Sequence, residues 1–180
     1  MIKKILLGLA VLLLIVISYF VYGIYINPVS PRGTSEINKE SISINVGYGR
    51  PFKKDRLIFG DSSEGALLPY GVYWRLGANF ATTFETNSTV SFSGRLIDPG
   101  KYRMYAVPYE DHWKLTLNTE SGAFGFNEPD YSKDVLSINV SAKKLTEPIE
   151  QLTIDFIEDS IGISMRIRWD YTLVIVPIDY

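Results

Sequence analysis

The chain consists of one long apolar segment followed by short stretches in which apolar and polar residues alternate. Residues 5–26 contain no charged side chain. At about 1.5 Å per residue, a helix of this length spans roughly 33 Å, which is enough to cross a hydrocarbon core of about 30 Å. Lys3 and Lys4 precede the segment, and tyrosine and phenylalanine crowd its far end, as in an interfacial aromatic belt. The pattern predicts an N-terminal transmembrane helix.

A cleaved signal peptide is the alternative interpretation of this segment. The apolar region of a signal peptide is about 7 to 15 residues long and leads to a cleavage site of small residues. Here the run is longer, its end is bulky, and the chain has no cysteine that could carry a lipid. We therefore expect residues 1–26 to be an uncleaved signal anchor. The two N-terminal lysines favour a single-pass protein of the cytoplasmic membrane with its C-terminal domain outside the cytoplasm, in the cell envelope.

After residue 40, the alternation has a period of two and predicts strands. In residues 41–48, for example, Ile42, Ile44, Val46 and Tyr48 share one face and the intervening positions are polar or small. Further strands are predicted at residues 81–85, 90–92, 95–97, 101–108, 113–118, 135–141, 152–157 and 163–170, and residues 173–177 are apolar on both faces, as in a central strand. No helical period appears after residue 26. About nine or ten short strands predict an all-β fold, a β-sandwich or jelly roll over residues 41–180.

Three connecting segments complete the predicted organisation. Residues 27–40 are rich in proline, serine and glycine and predict a linker between anchor and domain. Residues 52–66 form a long connection with an apolar plug at 57–59, and such connections are usually functional or packed on themselves. Residues 143–148 are expected to join two separate strands. Lys101 and Arg103 share one strand face, as do Arg166 and Arg168, and we interpret each face as solvated.

The segment 67–84 concentrates the residue types that form binding sites. Pro69, Tyr70 and Gly71 predict a turn. Trp74 and Arg75 lie in an apolar run, and Asn79 follows the two small residues Gly77 and Ala78. An arginine in such surroundings must reach solvent or find acceptors, because an unpaired buried cation is costly. Its planar guanidinium group binds carboxylates or phosphates, or stacks on an aromatic ring.

Two interpretations of this segment are open. In the structural one, Arg75 and Asn79 donate hydrogen bonds to main-chain carbonyls and hold a long loop in place. In the functional one, they line a ligand-binding cleft together with Arg50, Tyr70 and Trp74. Trp113 and Trp169 lie on apolar strand faces and are expected in the core.

Composition and charge exclude several classes of function. The net charge is −2, and the exported part is more acidic still without Lys3 and Lys4, which argues against nucleic-acid binding. The absence of cysteine excludes disulfides and thiolate chemistry. His112 is the only histidine, so zinc sites built on several histidines are excluded as well. Residues 55–64 and 127–130 are acidic loops without the ligand spacing of a calcium site, and we expect neither a metal nor a cofactor.

Several short motifs of the domain occur in a specific combination. They are YGRP at 48–51, IFG at 58–60, LPYG at 68–71, WR-x-GAN-x-AT at 74–82, PG-x-Y at 99–102 and the strand at 113–118. Together they resemble the bacterial domain-of-unknown-function family 2911, over residues 31–177. The resemblance implies an exported β-sandwich-like protein and brings no established activity, substrate or cofactor. The chain departs from the family pattern at Phe80, where members often carry glutamate, and at Asp55, where glycine is common.

Three functional hypotheses follow. The first is a membrane-anchored envelope protein that binds a small molecule, a glycan or an envelope protein through Arg50, Tyr70, Trp74, Arg75 and Asn79. The second is a structural or interaction protein without a small-molecule site. The third is a hydrolase acting on glycans, which needs two carboxylates about 5 to 10 Å apart across a groove. Its candidate acids, on or beside predicted strands, are Glu85, Asp155 and Asp170, and we favour a binding protein over an enzyme.

Overall fold

The fold begins with an apolar helix and continues as a domain of β-strands, seen in a computed structural model that describes residues 2–26, 29–122, 124–158 and 162–180. Helix α1 spans Ile2–Val21 and runs into a π-helical turn at Tyr22–Ile26. None of the residues of α1 is buried. Among the described residues, α1 is the one helix that is long and apolar enough to cross a membrane, with a mean hydropathy of 2.6.

The described part of the chain contains eleven strands and two short 3₁₀ turns, at Ser62–Glu64 and Tyr131–Lys133. The strands are β1 (Arg32–Lys39), β2 (Ile42–Gly49), β3 (Phe59–Gly60), β4 (Leu68–Pro69), β5 (Thr82–Thr86), β6 (Val90–Phe92), β7 (Arg95–Ile97), β8 (Gly100–Pro108), β9 (His112–Asn118), β10 (Asp134–Glu158) and β11 (Ile163–Asp179). The predicted all-β fold with one N-terminal helix is confirmed.

Nine strands form one continuous hydrogen-bonded arrangement in the order β1-β2-β5-β8-β9-β10-β11-β6-β7, and β3 pairs with β4 in parallel. Strand β10 divides the arrangement into two halves. Its first part, from Asp134 to Ser141, pairs with β9, whereas its later part pairs with β11. The halves face each other across one core, in which the ring of Phe84 on β5 lies 5.1 Å from that of Phe92 on β6.

Strand β1 lies within the segment predicted to be a linker. Arg32–Lys39 pair antiparallel with β2 along the whole strand, from Arg32 opposite Gly49 to Lys39 opposite Ile42. The composition of β1 conceals it, because Ile37 is its only apolar residue and none of its side chains is fully buried. Strand β1 lies at the edge of the sheet and pairs with a neighbour on one side only. Natural edge strands commonly carry charged side chains, which discourage pairing with other chains.

Strand β10 also differs from the sequence prediction, which placed two strands at 135–141 and 152–157. The structure has one strand, Asp134–Glu158, with register shifts between Lys144 and Ile149 and between Ile149 and Thr153. Pro148 cannot donate a main-chain hydrogen bond, so the ladder with β11 is interrupted there. The irregular stretch carries the chain from one half of the sandwich to the other and breaks the alternation that marks a strand in sequence.

A cluster of four aromatic rings lies within the core. Trp113 and Trp169 are each 1 % exposed, which confirms their predicted core position, and Phe59 and Trp74 join them. The Phe59 ring lies 5.1 Å from that of Trp113 and 5.7 Å from that of Trp74. The predicted plug at 57–59 is thus confirmed for Ile58 and Phe59, both buried.

Candidate functional site

A cleft of about 450 Å³ opens between the segments 51–56 and 74–78. We call it the basic cleft, because Lys54, Arg56 and Arg75 are among its lining residues and none of the described residues that line it is acidic. Trp74 and Trp169 of the aromatic cluster form part of its wall, and Val29 and Ser30 also line it. A concave, polar-lined cavity is therefore present next to Trp74.

Two of the five predicted site residues, Trp74 and Arg75, line the basic cleft. Tyr70 lines a second cavity of about 340 Å³, together with Glu110 and Asp170. Arg50 and Asn79 line neither cavity. The structure thus brings together part of the predicted set and separates the rest.

The contacts of Arg50 are those of a structural residue. Its Nε lies 3.4 Å from the carbonyl oxygen of Leu152, and its main-chain N–H donates to Pro31 at 2.8 Å. The side chain packs over Gly33, where a Cβ would lie 2.4 Å from Arg50 Cδ. Arg50 therefore fastens the beginning of β1 to the later part of β10.

Asn79 adopts a left-handed backbone conformation with φ of 63°. Asparagine tolerates this region better than most residues, because its short polar side chain interacts with the local main chain. The carbonyl oxygen of Asn79 lies close to Gly125, where a Cβ would come within 2.7 Å of it. The turn at Asn79 is thus packed against the 124–128 segment.

Trp74 belongs to the core more than to the cleft surface, since it is 3 % exposed. Its main chain pairs with Ala106 of β8 through hydrogen bonds of 2.8 and 2.9 Å, and its indole Nε1 donates to Gly77 at 3.3 Å. This pairing also directs its neighbours. Because successive residues of an extended chain point to opposite faces, Tyr73 and Arg75 project away from the core.

Arg75 is half-buried on this outer face and has no carboxylate partner among the described residues. Its guanidinium carbon lies 4.2 Å from the centre of the Phe126 ring, and its Nη1 is buried without a hydrogen-bond partner. Burial lowers the pKa of Arg75, and the nearby Arg103 lowers it further. Within the described part of the chain, the Arg75 side chain makes no hydrogen bond to a main-chain carbonyl, which differs from the structural interpretation.

Arg103 is a further candidate, and the prediction of a solvated face for it is wrong. Its side chain is 1 % exposed on the outer face of β8, beneath the 124–128 segment. Its Nη2 donates to the hydroxyl oxygen of Tyr73 and, at 2.5 Å, to the main-chain oxygen of Asn127. Its Nε and Nη1 are buried without partners. The alternation in β8 identifies the face correctly, but no local pattern shows that a distant loop covers it.

The three candidate acids of the hydrolase hypothesis all form ion pairs. Glu85 lies 3.2 Å from Lys101 and Asp170 lies 3.1 Å from Lys53. Asp155 binds Arg166 through two hydrogen bonds of 2.9 Å and Arg168 at 2.5 Å. The predicted solvated face at Arg166 and Arg168 is therefore a partly buried ion-pair network.

The acidic loops and the histidine show no arrangement suited to a metal ion. Within the described ranges, no group of three or more histidine and acidic residues lies close enough to hold one. His112 stacks on Tyr109 at 4.6 Å between ring centres, and its Nδ1 lies 2.6 Å from Asp111. This hydrogen bond lowers the pKa of Asp111.

Comparison with known proteins identifies a family and no activity. A family model described as a protein of unknown function, DUF2911, matches residues 30–178. The match includes every strand from β1 to β10 and nearly all of β11, and it confirms the resemblance in the motifs. Neither the curated proteins nor the solved structures contain a significant match to the chain. The chain belongs to the DUF2911 family of proteins of unknown function.

Proposed function

We propose that this protein is a single-pass protein of the cytoplasmic membrane whose β-domain lies outside the cytoplasm and binds an anionic ligand in the basic cleft. The observation that carries the proposal is the composition of the cleft, whose described lining residues include three cationic side chains and no acidic one. Within the described part of the chain, neither Lys54 nor Arg56 forms an ion pair through its side chain, and the guanidinium group of Arg56 donates only to the main-chain oxygens of Lys53 and Phe52. A ligand with a negative charge would balance them.

The wall of the cleft indicates the rest of the ligand. Phe52, Leu67 and Leu68 present apolar surface beside the cationic side chains, and the buried Trp74 and Trp169 border the cavity. A cavity of this size and mixed character suits an amphipathic molecule, with its charged group on the arginines and lysine and its carbon skeleton on the rings. Free inorganic anions would use only half of the surface.

The position of the cleft along the chain favours a lipid as this amphipathic molecule. Val29 and Ser30, which line the cleft, follow the last helical residue, Ile26, by three and four positions. Since an extended chain spans at most about 3.6 Å per residue, this part of the cleft lies within roughly 15 Å of the end of the helix. With the helix in a membrane, that distance reaches the headgroup region. We therefore propose an anionic phospholipid headgroup as the ligand.

The proposal is tested with the full chain in nanodiscs of neutral phosphatidylcholine, by intrinsic tryptophan fluorescence. Trp74 and Trp169 line the cleft, so a bound ligand changes their surroundings. We expect a saturable change with soluble dihexanoyl phosphatidylglycerol and none with dihexanoyl phosphatidylcholine. The double variant K54E/R56E is expected to bind dihexanoyl phosphatidylglycerol with an affinity at least tenfold lower.

A matched control is provided by K143E/K144E, which reverses the same number of charges on two exposed lysines at the second cavity. This variant is expected to respond as the unaltered protein does. An equal response to the two lipids, or a response that survives K54E/R56E, would contradict the proposal. The absence of a response to either lipid would also contradict it and would favour an interaction protein without a small-molecule site.

A further inference from the structure

We propose that Arg75 and Arg103 form an oxyanion-binding site on the outer face of β8, which receives one carboxylate or phosphate group beneath the 124–128 segment. We call these two residues the arginine pair. The site goes beyond the basic cleft, because Arg103 does not line the cleft and the two sites share only Arg75.

The first argument is the imbalance of charge. Arg103 is 1 % exposed and Arg75 is half-buried, yet neither has a carboxylate partner among the described residues. Three of their nitrogens, Arg75 Nη1 and Arg103 Nε and Nη1, are buried without a hydrogen-bond partner. Buried charges in folded proteins are paired, because the loss of hydration is not otherwise offset. An anion at this place would offset it.

The acidic side chains around the arginine pair are occupied by neutral donors. Asp134 accepts hydrogen bonds from Tyr105 at 2.7 Å and from Asn118 at 2.8 Å. Glu128 accepts from the hydroxyl of Tyr131 at 2.6 Å. Each carboxylate therefore has its own partners, and Glu128 is the internal group best placed to compete with an external anion.

Existing contacts hold the arginine pair in position. The two hydrogen bonds of Arg103 Nη2, to Tyr73 and to the main chain of Asn127, fix the plane of its guanidinium group. Since the Tyr73 oxygen accepts from Arg103, its own proton is left to donate. Burial raises the pKa of Tyr73, which keeps that proton in place. Tyr73 therefore adds a neutral donor beside two cationic ones.

A ligand would reach the site from the side of Arg75, and the guanidinium groups determine which anions can bind. Arg75 is the partly exposed member of the pair, and the Phe126 ring that covers it is 62 % exposed. Guanidinium groups bind carboxylates and phosphates through short charge-assisted hydrogen bonds, and a chloride ion offers no such geometry. The site thus distinguishes oxyanions from chloride.

Thermal unfolding of the full chain in a neutral detergent tests the proposal. Sodium phosphate or sodium acetate replaces sodium chloride at constant ionic strength and millimolar concentration, where general salt effects are small. We expect at least one of the two oxyanions to raise the Tm saturably, by about 5 to 10 °C at a hundred times its Kd. The two anions together show whether the site prefers a phosphate or a carboxylate.

Variants separate this effect from a general one. Arg103→Met removes the charge at similar length and is expected to abolish the shift, without a loss of Tm in chloride. Arg95→Met, on an exposed arginine of β7, is the matched control and should keep the full shift. An equal shift in R103M, or the absence of any oxyanion-specific shift in the unaltered protein, overturns the proposal. So does a shift that appears only in Glu128→Gln, since Glu128 would then be the resident partner.

A spectroscopic measurement keeps the proposal testable if R103M does not fold. The Nε–H resonances of the arginines, in the ¹H–¹⁵N spectrum of the unaltered protein, are followed during a titration with inorganic phosphate and then with acetate. Two resonances are expected to move. The first belongs to Arg75 and is identified by its loss in Arg75→Met. The second is expected to belong to Arg103 and remains in both R75M and R95M. No movement with either anion overturns the proposal independently of the lipid experiment.

Discussion

The hydroxyl group of Tyr48 makes two hydrogen bonds to one residue, Ile154, across the sandwich. It donates to the carbonyl oxygen of Ile154 at 3.1 Å and accepts from the main-chain N–H at 2.9 Å. Pairing between β9 and β10 ends at Ser141, so the later part of β10 has an edge that no strand covers. The side chain of Tyr48, with residues 50–53, satisfies the main chain of this edge. An unpaired edge would otherwise be open to other chains.

Tyr48→Phe is expected to lower the free energy of unfolding by about 1 to 3 kcal/mol, because it leaves a buried N–H and a buried C=O without partners. Urea unfolding monitored by tryptophan fluorescence measures the loss. Tyr102→Phe is the control, since the Tyr102 hydroxyl donates to Asp98 at 2.9 Å at the surface, and its removal should cost less than about 1 kcal/mol. Equal losses in the two variants would show that the Tyr48 contact has no special weight.

A second prediction concerns the close approach of two main-chain segments at Gly49. A Cβ there would lie 2.2 Å from the carbonyl oxygen of Ala78, which lines the basic cleft. Gly49→Ala is therefore expected to displace the 77–78 segment, to lower stability by about 1 to 3 kcal/mol and to weaken ligand binding in the cleft. Gly122→Ala meets open space and should change neither. Urea unfolding measures the effect on stability, and the lipid titration measures the effect on binding. An unchanged lipid affinity in G49A would contradict the expected displacement.

The stability of the loop that covers Arg103 is expected to depend on pH. The hydrogen bond from Lys133 lowers the pKa of Glu120, and the hydrogen bond from Ser132 lowers that of Asp130. Because both carboxyl groups hold their protons less tightly in the folded state, their contribution is present above the ordinary pKa values, 4.5 and 3.8, and is lost as the pH falls.

Hydrogen exchange of residues 119–133 between pH 6 and pH 3 measures this contribution, after correction for the intrinsic pH dependence of exchange. Protection should fall below about pH 4.5 and should do so less steeply in Glu120→Gln. Protection that rises on acidification would contradict the assigned directions of the two pKa changes.

The alternation of apolar and polar residues predicts most of the fold. It locates β2, the β6–β7 hairpin, β8, β9 and the core position of Trp113, because in each of them apolar residues recur on the face that packs into the core. It fails at β1, whose stability comes from main-chain hydrogen bonds, and at the irregular part of β10 around Pro148. A pattern of apolar and polar residues cannot reveal a strand such as β1, whose half-buried positions are mostly occupied by polar or small residues.

The site was predictable only in part, for a related reason. Arg75 stood out in sequence because a cation interrupts an apolar run, and it does lie at the basic cleft. Arg50 belongs to the same group of motifs, yet its side chain turns toward β10. Arg103 has an ordinary strand pattern, and its burial depends on Asn127, 24 residues away. Such long-range cover is a property of the folded chain.

The pairing of the β6–β7 hairpin sets an order of events during synthesis. Ile178 of β11 lies opposite Phe92 of β6, so the hairpin has no sheet neighbour until β11 has been made. Strands β1, β2, β5, β8 and β9, in contrast, pair with one another as they emerge. The sheet pairing of this hairpin, with the apolar side chains of Val90 and Phe92, therefore forms only after nearly the whole chain has been synthesised.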